Sequence, residues 1–183
     1  SGSMRSPVTG YRQGATTAVS CHDVASLVAS AFLRRNSEAR VLPFSDVLVP
    51  VSLSAHASVA ENARLLASIG GGGTNVSAPL EQLNREGALV DLVVIVSDNE
   101  SWVDARRRGA TETMRQWARI KHRSPNAKLV CVDLQPYGTT QAQERPDIMN
   151  VGGFSDAVFE TIDRFASGLA VRNWIEEVKE TIV

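Results

Sequence analysis

Asp91–Ser97 reads Asp-Leu-Val-Val-Ile-Val-Ser, an apolar, largely β-branched run bounded by polar residues. A segment so uniformly apolar has no face to give to water, which predicts a central strand buried on both sides. Ala127–Leu134 is a second run of this kind, and Ile148–Val151 a short third. Helical periods lie around them. Val24, Leu27, Val28, Ala31 and Phe32 predict an amphipathic helix over Ala18–Arg35. Ser58-Val-Ala-Glu61 is a capping box that opens a helix closed by Gly70, with Leu65, Leu66 and Ile69 on its buried face. Val76–Arg85, with Pro79 in its first turn, predicts another, and Asp104–His122 a long charged one. Ser155–Gly168 turns Val158, Ile162 and Phe165 inward. Ala39–Ser45 and Val47–Leu53 are short β-rich runs around Ser45-Asp46, which predicts a hairpin or tight reversal. The first of them is expected to join the sheet of Asp91–Ser97 and Ala127–Leu134. Strands alternating with helices imply an α/β fold, a doubly wound and mostly parallel sheet flanked by helices. Ligands on such sheets bind at the carboxyl ends of the strands.

At 183 residues and 43% hydrophobic content the chain suits one domain with a sizeable core. Residues 1–168 are assigned to it. The remainder, 169–183, is a helical tail with Val171, Trp174, Ile175, Val178 and Ile182 on one stripe. A net charge of −1 offers no global attraction to nucleic acid or to an anionic membrane. The longest apolar run is far too short to span a bilayer, so no membrane partner is expected. Cys21 and Cys131 stand alone and read as buried small hydrophobes, consistent with a reducing, cytoplasmic setting.

The chemistry of the chain lies in scattered oxygen donors. Ser1 and Ser3 are two hydroxyls spaced i, i+2; Thr74 follows a run of four glycines, and Asp98 directly follows the predicted strand. On a doubly wound sheet these positions can turn toward one point. Hard oxygen donors of this kind suit Mg²⁺ or another divalent cation, which keeps several waters and needs few carboxylates. Each element also has a plainer account. Gly70–Gly73 reads as a connector, Asp98 as a helix cap, and Ser1-Gly2-Ser3 as a cloning remnant before Met4. Other chemistries find less support. Neither GxGxxG nor GxxxxGK[ST] occurs, no GxSxG elbow is present, and His22, His56 and His122 are scattered. Arg106-Arg107-Arg108 reads as a solvated helix face or a small phosphate-contacting patch. Trp102 reads as a core aromatic or a rim anchor.

Ser1/Ser3, Thr74 and Asp98 together resemble the metal-ion-dependent adhesion site of von Willebrand factor A domains, patterned Asp-x-Ser-x-Ser, then a distant Thr, then a distant Asp. The leading Asp would fall two residues before Ser1. Longer stretches resemble the A domain of Ro-type (TROVE family) ribonucleoproteins, particularly bacterial ones. These are Ser-Gly-Ser-Met-Arg-Ser-Pro-Val-Thr-Gly10, Val24–Arg35, Leu42-Pro-Phe-Ser45, Gly71-Gly-Gly-Thr-Asn75, Val96-Ser-Asp-Asn-Glu100 and Gly152-Gly-Phe154.

The resemblance implies a von Willebrand A (Rossmann-like) fold whose first strand, ending at the leading Asp, is missing from the chain. It implies a metal shell of Ser1, Ser3, Thr74 and Asp98. The open metal position would be filled by a carboxylate from a protein or other ligand. It also implies small non-coding RNA as a partner, bound by a helical-repeat ring upstream of these residues. The expected function is a non-enzymatic, Mg²⁺-dependent binding module of a protein engaged in RNA quality control. The alternatives are a chelatase-type A domain working with an ATPase, and a Mg²⁺-dependent hydrolase with Glu100 as base.

Overall fold

Side chains along the strands alternate between two apolar cores, and this alternation explains the layered architecture. The computed structural model describes residues 3–9, 17–70, 72–98, 112–135 and 145–167. In chain order these form α1 (Cys21–Arg35), α2 (Val59–Ala67), α3 (Ala78–Arg85), β1 (Leu92–Ser97), α4 (Glu112–Arg123), β2 (Lys128–Asp133), β3 (Ile148–Gly152) and α5 (Asp156–Ala166), preceded by a 3-10 turn at Ser3–Arg5. The strands make one parallel sheet in the order β1-β2-β3, with Leu92 beside Lys128 and Leu129 beside Ile148. Ile95, Leu129 and Cys131 project into a core closed by Leu80 and Leu83 of α3 and Met114, Trp117 and Ile120 of α4. Val130 and Val132 project the other way, into a core closed by Val24 and Val28 of α1 and Val158, Ile162 and Phe165 of α5. Helices on both faces of a parallel sheet are the doubly wound arrangement that the sequence predicts. Ser1, Glu100, Trp102, the Arg106–Arg108 run and the tail 169–183 lie outside the described residues.

The helix starts follow from their caps. Ser20 Oγ accepts from Asp23 N at 3.1 Å while Ser20 N donates to Asp23 Oδ2 at 3.0 Å, so α1 begins at Cys21 rather than Ala18. Ser58 Oγ accepts from Glu61 N at 3.1 Å, as its spacing predicts. Pro79 occupies the first turn of α3.

Three expectations are corrected. The central strand is β2, which pairs on both sides; β1 is an edge strand among the described residues, and most of its side chains are only half-buried. Ala39–Ser45 does not enter the sheet. Pro43 and Pro50 remove ladder donors from both β-rich runs, and what remains is the tight reversal. It is held by one antiparallel bridge, Phe44 to Leu48, with Val49 N donating to Pro43 O at 2.8 Å. Leu42 and Phe44 still pack onto the α3/α4 core. In α2 the buried stripe is Asn62 and Leu66, at i and i+4, and Leu65 is exposed. Asn62 is buried because its amide replaces a backbone partner on both sides: its Nδ2 donates to Ser54 O at 2.7 Å and its Oδ1 accepts from Ser54 N at 3.3 Å.

Candidate functional site at the carboxyl ends of the strands

Ser97 aligns with Asp133 across β1 and β2, and Asp133 with Gly152 across β2 and β3, so the three strands end together. Leu134 N donates to Ser97 O at 2.8 Å and Gly153 N to Asp133 O at 2.7 Å, which carries the order just past the strand ends. Asp98 follows β1 directly and is 1% exposed. Residues 3–9 fold onto the same rim. Ser6 N donates to Ser3 O at 2.9 Å, Cys21 N to Ser6 O at 3.0 Å, and Val8 N to Val19 O at 2.9 Å. From the sheet side, Gln135 Nε2 donates to Ser6 Oγ at 3.1 Å and to Pro7 O at 2.6 Å.

The electrostatics of Cys21 show how closely these groups gather. Burial pushes its thiol up to about 11, and the Asp98 carboxylate pushes the same way, with a smaller contribution from Asp133. The Ser6 hydroxyl acts against them by hydrogen-bonding the thiol. Asp98 therefore lies near the Cys21 thiol at the start of α1. Burial alone pushes the Cys131 thiol up to about 12. Both cysteines are free and buried. With thiolates suppressed in this way, a disulfide reagent at pH 8 should label the folded chain many-fold more slowly than the urea-unfolded chain. The sign of the linkage is also set. The folded thiols hold protons that unfolded ones, at about 9, release, so stability should fall as pH rises from 9 toward 11.

Thr74 arrives from a different loop. It is 3% exposed, and its Oγ1 has no hydrogen-bond partner. The loop is fastened to the Ser45–Asp46 reversal: Asn75 N donates to Ser45 O at 2.7 Å, and Gly73 N to Asp46 Oδ2 at 2.9 Å. Asn75 Nδ2 adds a bond to Asp46 O at 3.2 Å. A Cβ on Gly73 would overlap the Asp46 carboxylate, so any side chain here has to displace it. Gly73→Ala should expel Asp46 and cost about 1 kcal/mol, the worth of the lost bond. Asp46→Ala in that background should add little further loss, because the bond is already gone; urea unfolding of the parent and the two variants checks this.

A buried hydroxyl without a partner costs of the order of 1–3 kcal/mol, and a buried carboxylate needs compensation. A hard cation would supply both. Among the described residues no three His, Cys, Asp or Glu side chains converge as a metal site. The donors offered here are two buried carboxylates, Asp98 and Asp133, and hydroxyls, a set that fits Mg²⁺ retaining water.

The sequence pattern of Ro60 vWA domains matches residues 1–166. The chain belongs to the Ro60 vWA domain family. A curated relative of this vWA domain is the RNA-binding protein RO60 of Deinococcus radiodurans, 26% identical over 136 residues, which cover 74% of this chain and 25% of that protein. The crystal structure of the Deinococcus radiodurans Ro (RSR) protein superposes with a TM-score of 0.68 at 22% identity, covering 82% of this chain and 30% of that one. This likeness shows the fold. The vWA chain thus spans about a quarter to a third of the length of the proteins it matches.

Of the predicted metal residues, the vWA domain places Ser3 half-buried on the rim segment, Thr74 buried on the loop between α2 and α3, and Asp98 buried directly after β1. Sequence reasoning missed Asp46, Ser6 and Asp133. Asp133 ends β2, is 8% exposed, and accepts from Gln135 N at 3.1 Å through Oδ1. Its signal was present: it terminates an apolar run just as Asp98 does. Asp46 was legible only as a turn residue, since nothing in the sequence links it to a glycine 27 positions away.

Proposed function

We propose that this vWA domain is a non-enzymatic, Mg²⁺-dependent binding module of an RNA-associated protein. Ser1, Ser3, Thr74 and Asp98 would hold the cation, and a carboxylate from a protein or other ligand would complete its shell. The observation that carries this reading is the buried Thr74 Oγ1 with no protein partner, together with the burial of Asp98 at the end of β1. Bound there, the cation supplies an electrophilic position for an anionic ligand. Asp98 supplies charge, and the hydroxyls supply neutral oxygens that leave the cation incompletely neutralised and so attractive to an incoming carboxylate.

Two further features support the reading. β1 presents an apolar edge with no neighbour among the described residues, which suits a further strand delivering the leading Asp beside Asp98. The curated relative is named an RNA-binding protein, which supports an RNA-associated whole; in our reading a helical-repeat ring outside these residues would hold small non-coding RNA. Two buried free thiols suit a cytoplasmic setting. No helix among the described residues is long and apolar enough to cross a membrane.

Capture of protein partners on the immobilised chain, extended upstream by the proposed strand, tests the module. Retention in Mg²⁺ that is lost in EDTA and lost in Asp98→Ala is the expected result. Retention indifferent to both refutes metal-dependent binding.

A further inference from the structure

The described surface also carries a groove lined by none of the strand-end residues. It lies between α3 and α4, has a volume of about 820 Å³, and is lined throughout by polar residues. Its charge is polarised. Glu81 and Glu112 sit at the amino-terminal ends of the two helices, while Arg85, Arg119 and Arg123 sit with His122 toward their carboxyl-terminal ends. The acids are already engaged: Glu112 accepts from Arg115 and Gln116, and Glu81 from Ser77. The arginines hold only neutral acceptors: Arg85 Nη1 donates to Gln82 Oε1 at 2.6 Å, and Arg123 Nη1 to Arg119 O at 3.4 Å. Arg123 reaches Leu83 O and Ala88 O only at 3.4 and 3.5 Å, beyond the usual range for such bonds, and its Nε has no partner. Arg119 is exposed, and it stands one turn from Arg123 on the same stripe. Asn84 Oδ1, on the groove wall, is also without a partner.

Guanidinium groups bound to neutral acceptors gain by turning onto a charged one. Phosphate oxygens are that acceptor, since they take the arginine fork in a bidentate manner. A stripe of three arginines matches a chain of phosphates better than a single anion. We propose that the basic end of the α3/α4 groove contacts the phosphate backbone of single-stranded RNA through Arg85, Arg119 and Arg123. The choice of RNA over an acidic peptide rests on the RNA-associated setting proposed above; the groove and its charges do not. Glu81 and Glu112 block a phosphate track along the full groove, so the strand crosses at the carboxyl-terminal ends of the helices. Such contact is weak and independent of base sequence, because phosphates position and bases specify.

The test is fluorescence anisotropy of a labelled oligouridine with the 183-residue chain in EDTA, which keeps the result independent of the cation site. Three phosphate contacts on a single strand predict a slope of log affinity against log salt of about −2, with dissociation constants of roughly 10⁻⁴–10⁻⁶ M. Arg85→Glu/Arg119→Glu should weaken binding at least tenfold at low salt and flatten the slope. Arg85→Gln/Arg119→Gln should do the same to a smaller extent, with circular dichroism confirming that both fold. Arg35→Glu/Arg64→Glu makes the same change in net charge on α1 and α2, and should leave affinity within about twofold. Equal losses in both reversal pairs, or none in the groove pair, would overturn the site. Polyglutamate competing as strongly as RNA of equal charge would overturn the ligand.

Discussion

Trp117→Ala should remove about 3–5 kcal/mol of stability, the range for emptying a large aromatic site in a packed core. Trp117 is 0% exposed and stands between α3 and the sheet, among Leu80, Ile95, Ile120 and Leu129. Its indole Nε1 donates to Asp147 Oδ2 at 2.9 Å, tying α4 to the approach of β3. Burial works to raise the Asp147 carboxyl, but the indole and Arg145 outweigh it and hold the group below its usual range. Against a total stability of about 5–15 kcal/mol for such domains, the loss should unfold a large part of the population near 37 °C. Trp117→Phe keeps most of the volume and loses the N–H, so it should cost nearer 1–3 kcal/mol. A depressed carboxyl contributes stability above its unfolded value and loses it as pH falls, so Trp117→Phe should lose less stability than the parent on acidification. Urea unfolding at two pH values reads all three variants. Equal costs for Ala and Phe would contradict the packing account.

Much of the fold was legible because local and global signals agree where burial is strongest. β2 and β3 follow from apolar runs, and α5 from Val158, Ile162 and Phe165 at helical spacing, all buried as expected. The failures share a cause. Whether an apolar run is central or at an edge depends on its neighbours, so β1 and β2 read alike in sequence yet differ in the sheet. Ala39–Ser45 has strand composition, but Pro43 removes a ladder donor and leaves it a loop that serves by bracing Thr74. Leu65 is exposed and Asn62 buried because a side chain that bonds backbone on both ends can be buried where a leucine is not needed. For the site, Asp98 was legible as a carboxylate ending a strand. The approach of Ser6 and Asp133 was not, because it depends on how residues 3–9 fold over the rim.

The cation site carries the second large effect. Asp98 is the one carboxylate of the adhesion-type pattern within these residues, so it should dominate Mg²⁺ affinity. The 183-residue chain, without the leading Asp, should bind Mg²⁺ poorly. Adding the upstream Asp-x and its strand should raise affinity. In that longer chain Asp98→Ala should abolish binding, while Thr74→Ala should weaken it less, since it removes a neutral oxygen rather than a charge. Calorimetric titration of Mg²⁺ into these four proteins is the most direct test of the metal-dependent reading. The account predicts weak or no heat from the short chain, clear binding by the longer one, a reduced affinity in Thr74→Ala and none in Asp98→Ala. Equal Mg²⁺ affinity in the longer chain with and without Asp98 would contradict it.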